Sequence, residues 1–343
     1  LIIGVGTRYT DFTTSSKWLF KEDAKFVNIN VSEFQAFKLD AIPVIADAKG
    51  ALPKLQKALE GYKASYNGEI EAAIAKWNKE YDRLASITFG EGYVPEVKDA
   101  NSNSAFVFAE DIDANLTQTK VLATVNKMIE AGDSVIGASG SLPGCMQRMW
   151  RAHAADTYNM EYGYSCMGYE ISGALGVKYA NPDREVYAMV GDGSFLMLHS
   201  ELYTSIQEGV KINVMLFDNT GWGCIENLQN SQGTDTFGTR FTARNPITGL
   251  LDGEIVPIDF AKCAEGYGCK TYTATNVDEL IYAIEDSKKQ TVSTLIDIKV
   301  AHGSMSHGYD SWWRVGVAEV STSEKVQAAY EDMAANIKLA REY

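Results

Sequence analysis

Gly191-Asp192-Gly193 and Asp218-Asn219-Thr220-Gly221 are the two stretches of this chain whose residue types can do chemistry together. Asp192 offers a carboxylate, Asn219 an amide oxygen and Gly221 a backbone carbonyl, all hard oxygen donors of the kind that magnesium or calcium takes. Gly191 and Gly193 leave room for a phosphate to approach the backbone, and a helix beginning there would turn its free N–H groups toward it. A GDG tripeptide alone is also what an ordinary turn looks like. Asn219 sets this one apart, 27 positions after Asp192 and at the end of a second apolar run. The pair reads as a metal–diphosphate site.

Such a pairing needs elements that bring the two loops to one point. Residues 186–190 are an apolar run that stops at the first loop, a helical pattern follows to Glu208, and residues 212–217 are a second apolar run that stops at the second loop. Strand, loop, helix, strand, loop in a right-handed parallel unit puts both loops at the carboxyl ends of their strands. Residues 134–138 predict another strand, running into the small-residue loop 139–144, which by itself is a simple strand-to-helix connection. Ahead of it, Thr117 is a plausible N-cap for a helix that turns Val121, Val125, Met128 and Ile129 inward.

Length and composition bound the rest. A chain of 343 residues has room for about two domains. Hydrophobic residues make up 45% and charged residues 22%, and no apolar run approaches the roughly 20 residues of a membrane span, which predicts a soluble globular protein with no membrane partner. A net charge of −14 without a Lys/Arg cluster argues against nucleic acid, and makes a bound diphosphate depend on its metal for neutralisation. Five cysteines, odd in number and without CxxC spacing, read as free thiols in a reducing cytoplasm.

At the amino terminus, residues 1–5 and 26–31 are short β-branched runs of the kind found in buried parallel strands. Leu1 follows no methionine, basic region or cleavage site, so this start reads as a cut rather than a signal peptide. Residues 52–84 are helical, broken near Tyr66-Asn67-Gly68, and residues 86–115 have no sustained period and read as a linker whose acidic Glu110, Asp111 and Asp113 face solvent.

GDG followed at this distance by Asn219 resembles the thiamine diphosphate signature of the pyruvate decarboxylase and acetolactate synthase superfamily. The resemblance implies thiamine diphosphate and magnesium (Mg2+) as cofactors, with Asp192, Asn219 and the Gly221 carbonyl holding the metal on the diphosphate. Asp218 stands where the usual pair begins with Asn, a departure that leaves the implied ligand in place. It also implies cofactor contacts from Gly140, Ser141 and Leu142, from Gly191, Gly193 and Ser194, and from Met167, which precedes Asp192 by 25 positions where these enzymes carry a bulky apolar residue between the cofactor rings. Without the motif, Met167 would be a core methionine filling a gap.

The implied fold is α/β with doubly wound parallel sheets: part of a Rossmann-like middle domain over residues 1–62, a connecting helix and linker over 63–115, and a diphosphate-binding domain over 116–343. Within the superfamily, MEYGYSCMGYEI, MVGDGSFLML, DNTGWGCIENLQ and YDSWWRVGVAEVS resemble the ring-opening hydrolases of myo-inositol breakdown. That likeness implies a small-molecule substrate, a cyclic polyol dione opened by water to a deoxyglucuronate, and a cytoplasmic homodimer or homotetramer whose site is shared between subunits. The family's pyrimidine-binding domain, which carries the activating glutamate, has no counterpart in these residues, so the chain alone is expected to be inactive. Two rivals stay open: a decarboxylase or carboligase of acetolactate type, and a non-catalytic α/β scaffold.

Several further residues admit two readings. His302 and His307 follow a late apolar run, residues 293–300, where active-site groups often lie, and either could act as an acid–base group. Arg240 and Arg244, in the polar stretch 231–252, suit an anionic or hydroxylated substrate, or lie on a surface loop. Thr275 with Asp278, and Ser321 with Glu324, read as capping boxes, the second opening a docking helix with Val326, Tyr330, Met333 and Ile337 on one stripe.

Overall fold

A computed structural model describes residues 1–97, 108–309 and 311–342, so residues 98–107 of the expected linker, Asp310 and Tyr343 lie outside the described residues. The chain divides into two units, one formed by residues 1–75, 232–234 and 308–343, the other by residues 76–231 and 235–307.

In the first unit three short strands, β1 (Ile2–Val5), β2 (Phe26–Asn30) and β3 (Ile42–Ile45), pair in parallel in the order β1-β2-β3. Phe26, Leu39 and Ala41 make its small core. The expected break near Asn67 separates the helices Ala48–Ala58 and Glu69–Ser86. The helix Glu324–Ile337 also belongs here, with Val326, Tyr330, Met333 and Ile337 its half-buried stripe. Its N-cap is Ser323 rather than Ser321, whose hydroxyl instead accepts from the Ser323 N–H.

The second unit is a six-stranded sheet of β4 (Ser134–Gly137), β5 (Tyr158–Met160), β6 (Val186–Gly191), β7 (Asn213–Asp218), β8 (Lys270–Ala274) and β9 (Thr294–Lys299), ordered β5-β4-β6-β7-β9-β8 with every pair parallel. β7 and β9 are buried along their whole length, and β6 up to Val190, because helices cover both faces, which is why they read as near-continuous apolar runs. Alternate residues face opposite layers. Tyr187, Met189, Met215 and Phe217 pack with Val121, Val125, Met146, Leu280 and Ile284, whereas Ala188, Val190, Val214 and Leu216 pack with Ile171, Leu175, Phe195, Leu202 and Phe260. This is the expected doubly wound α/β architecture.

Caps set where the helices start. The Thr117 hydroxyl accepts the Lys120 N–H at 3.2 Å and opens the helix Gln118–Met128. For the helix Val277–Ser287 the cap is Asn276, accepting from the Glu279 N–H, and Glu279 reaches back to the Thr275 N–H at 2.8 Å. The expected box is thus displaced by one residue.

The strand order places the site. From β4 the chain moves outward to β5, then returns past β4 to β6 and continues the other way, so the sheet reverses direction between β4 and β6. Open parallel sheets bind ligands in the crevice at such a point, outside the carboxyl ends of the strands. Among the described residues no helix is long and apolar enough to cross a membrane.

Candidate metal–diphosphate site

Register brings the two halves of the site together. Gly191, the last residue of β6, pairs with Phe217 of β7, so the Asp192 and Asp218–Gly221 segments leave the sheet side by side. Asp192 starts the helix Asp192–Met197 and is 2% exposed. One of its carboxylate oxygens, Oδ2, accepts the N–H groups of Asn219 at 2.9 Å and Gly221 at 3.0 Å, and the other accepts the Gly193 N–H at 2.6 Å. Burial, and after it the Asp218 carboxylate, push the Asp192 carboxyl well above its ordinary range. A cation beside Asp192 would favour its charged form against both.

Asn219 is buried and its side-chain oxygen has no hydrogen-bond partner among the described residues, although buried polar atoms nearly always have one. Among the described residues the Gly221 carbonyl accepts from the backbone only the Gly223 N–H, at 3.0 Å, leaving a lone pair. A carboxylate, a carbonyl and an orphaned amide oxygen on one loop pair fit a hard divalent cation. Room for a phosphate is also present: a Cβ added at Gly191 would meet nothing within 4 Å. Gly193 is different, because a Cβ there would lie 2.4 Å from the Trp222 indole nitrogen. Packing against Trp222 is by itself enough to require glycine there.

The other expected contacts lie at neighbouring strand ends. Gly140, in left-handed backbone at φ 95°, is the N-cap of the helix Ser141–Met149 that follows β4, with Leu142 buried and Ser141 in the first turn. A Cβ at Gly140 would come within 4.0 Å of Cys224, the second residue of the Gly223–Ser231 helix, so this turn faces the one after the metal loop. Ser194 is buried in the Asp192–Met197 helix. Met167 is half-buried, and Gly168 after it backs onto Leu198, just past that helix.

His302 reaches the metal loop through the backbone. It is 7% exposed, its Nδ1 lies 3.1 Å from the Asn219 carbonyl oxygen and its Nε2 lies 3.1 Å from Glu226 Oε2. Residues 301–306 around it are buried, with Ser304 accepting the Gln118 N–H and Cys145 Sγ accepting the Ser306 N–H, so this stretch is a packed floor rather than an open lid. His307 Nε2 lies 4.0 Å from Glu96 Oε2. Among the described residues, Glu80, Glu96 and His307 hold their ligand atoms close together, but the Arg83 guanidinium already engages both carboxylates.

Three groups at the site lacked a reading from sequence. Glu226 binds Arg240, which is thereby engaged within the protein, as is Arg244, whose guanidinium donates to the Gly249 carbonyl at 2.5 Å. Lys299 donates to Asp218 at 2.6 Å and to Asp297 at 2.9 Å, all three buried. Two charges two residues apart in the otherwise apolar run LIDIKV were a signal for this, since a period of two puts both on one face of a strand. Glu170 is also buried, its carboxylate accepting the Gly168 N–H at 2.9 Å.

Residues 138–298 match the family described as thiamine pyrophosphate enzyme, C-terminal TPP binding domain. Over its whole length the chain is 58% identical to 3D-(3,5/4)-trihydroxycyclohexane-1,2-dione hydrolase of Geobacillus thermodenitrificans (strain NG80-2), covering 54% of that protein. It is 55% identical over 347 aligned residues to 3D-(3,5/4)-trihydroxycyclohexane-1,2-dione hydrolase 2 of Bacillus cereus (strain ZK / E33L), and 54% identical to the hydrolase of that name from Clostridium tetani (strain Massachusetts / E88), again covering 54% of each. The chain thus spans about half the length of the curated relatives it matches, and the resemblance stated from its motifs is borne out.

Proposed function

We propose that the protein is a thiamine diphosphate- and magnesium-dependent hydrolase that opens the ring of 3D-(3,5/4)-trihydroxycyclohexane-1,2-dione to a 5-deoxyglucuronate. The observation that carries the cofactor assignment is the orphaned Asn219 oxygen beside a buried Asp192 carboxylate. The substrate assignment rests on 58% identity extending over the entire chain, far beyond a shared cofactor motif.

In this reading Asp192, Asn219 and the Gly221 carbonyl hold magnesium, while Gly140, Ser141, Leu142, Gly191, Gly193 and Ser194 line the diphosphate and Met167 supports the rings. When bound, thiamine diphosphate supplies a nucleophilic carbon for a ketone and a sink for the charge left when the neighbouring carbon–carbon bond breaks. This chain's own residues bind and orient. The helix starts at Asp192 and Ser141 direct N–H groups at the anion. Water adds across the broken bond, so one carbonyl of the dione becomes a carboxylate and the other an aldehyde. Residues 116–343 form the diphosphate-binding domain in this assignment, with residues 1–62 part of a middle domain and 63–115 connecting them. We place the protein in the cytoplasm, in keeping with five free cysteines, as a homodimer or homotetramer with its site shared between subunits.

The test uses the full product of the gene encoding this chain, assayed with thiamine diphosphate, Mg2+ and either the cyclic dione or pyruvate. Loss of the dione with formation of a deoxyglucuronate, and no turnover of pyruvate, is the expected result. Acetolactate from pyruvate with the dione untouched would contradict it. The activity named for the relatives belongs to chains nearly twice as long, so residues 1–343 expressed alone are expected not to turn over the dione.

A further inference from the structure

The metal loop, residues 219–222, is gripped from two sides, and both grips end on one carboxylate. On one side a neighbouring segment pairs with it through the backbone: the Trp222 N–H donates to the Thr239 carbonyl at 2.8 Å and the Phe241 N–H donates to the Thr220 carbonyl at 2.9 Å. Gly221 makes this possible, because a Cβ there would lie 2.4 Å from the Thr239 oxygen. On the other side His302 Nδ1 reaches the Asn219 carbonyl oxygen at 3.1 Å. A carbonyl only accepts, so Nδ1 carries the proton.

Glu226, 3% exposed on the helix that follows the loop, joins the two sides. Its Oε1 accepts from the Arg240 guanidinium and from the Thr236 hydroxyl at 3.0 Å, and its buried Oε2, which makes no hydrogen bond among the described residues, lies 3.1 Å from His302 Nε2. Arg240 belongs to the paired segment, and the Phe108 ring lies against both side chains, its centre 5.1 Å from the His302 ring centre and 4.9 Å from the Arg240 guanidinium carbon. What they share is the loop, whose Thr220 holds a left-handed φ of 66°.

We propose that Glu226 and His302 are positioning residues of the metal loop: Glu226 holds Arg240 and His302 at once, and His302 fixes the Asn219 backbone so that the Asn219 side-chain oxygen and the Gly221 carbonyl point at the metal. The inference rests on the metal–diphosphate reading of Asp192 and Asn219. Partners that orient a metal's ligands contribute about 10–100-fold to its affinity.

The test measures Mg2+ affinity by calorimetric titration in the full gene product with saturating thiamine diphosphate, alongside the melting temperature without either ligand. His302→Gln is the discriminating variant, because its amide can take the place of Nε2 and keep Glu226 engaged while losing the donor to Asn219. It is expected to weaken Mg2+ binding at least 10-fold with the melting temperature nearly unchanged, and turnover is expected to return as Mg2+ is raised. Glu226→Gln should weaken Mg2+ similarly, and the double variant should be little worse than either single one, since both act along one path. Mg2+ affinity within twofold of the parent in His302→Gln, or losses that simply multiply in the double variant, would overturn the proposal. Asp192→Ala serves as the control: if it too binds Mg2+ normally, the metal reading itself is wrong and the brace falls with it.

Discussion

Lys299 Nζ lies 2.6 Å from Asp218 Oδ2, and both groups are buried in adjacent parallel strands. Asp218 is the residue that departs from the superfamily's Asn pair, and it puts a second carboxylate beside Asp192. The ammonium offsets that charge. Burial works against it, but Asp218 and Asp297 together hold Lys299 above its ordinary range. Asp218→Asn should therefore leave Mg2+-dependent cofactor binding intact, as expected from its position, yet lower stability by about 1–3 kcal/mol because a buried charge loses one of its two partners. Paired denaturation curves of Asp218→Asn and Asp218→Asn/Lys299→Met check this. If the second change recovers none of the loss, the compensation described here is absent.

Glu170 makes stability depend on pH. Burial pushes its carboxyl from the ordinary 4.5 up to about 7, against the backbone N–H groups that favour its charged form. The folded protein then holds a proton that the unfolded chain releases, so the contribution is fully present below about pH 4.5 and is lost as pH rises through about 7. The total is up to about 3 kcal/mol. Glu170→Gln keeps an acceptor for the Gly168 N–H and should flatten this part of the stability curve, raising the melting temperature at pH 8 by several degrees. An unchanged slope between pH 4.5 and 7 in the variant, measured without cofactor, would mean that Glu170 is not its source.

Gly193 is expected to be intolerant for a reason separate from ligand binding. Gly193→Ala would drive a methyl group into the Trp222 indole, costing about 1–3 kcal/mol by overpacking even without cofactor. Gly191→Ala, with open space at its Cβ, should leave the cofactor-free melting temperature unchanged while weakening diphosphate binding. Thermal melts with and without thiamine diphosphate separate the two, and equal destabilisation by both would contradict the packing seen here.

The long apolar strands were legible because burial on both faces leaves a mark in composition. β6, β7 and β9 fall where continuous runs predict them, and the Asp192–Asn219 pairing follows from parallel topology. β5 and β8 were not legible: Tyr158–Met160 is three residues long, and Lys270–Ala274 is a half-exposed edge strand with little apolar content. Metal-ligand types and spacing could be read, since oxygen donors are fixed by chemistry. The braces could not, because Glu226 becomes informative only once it is buried between Arg240 and His302, which come from segments 14 and 76 positions away in the chain. Arg240 and Arg244 looked available for a substrate for the same reason: a sequence gives a charge but not its partner.

Calorimetric titration of thiamine diphosphate into the full gene product and its Asp192→Ala variant, each with and without Mg2+, tests the central assignment most directly. Asp192 is the only charged ligand assigned to the metal, so the parent protein should bind the cofactor tightly only with Mg2+, and the variant should lose that dependence together with at least 100-fold in affinity. Cofactor binding by Asp192→Ala that still tightens on adding Mg2+ would contradict the account.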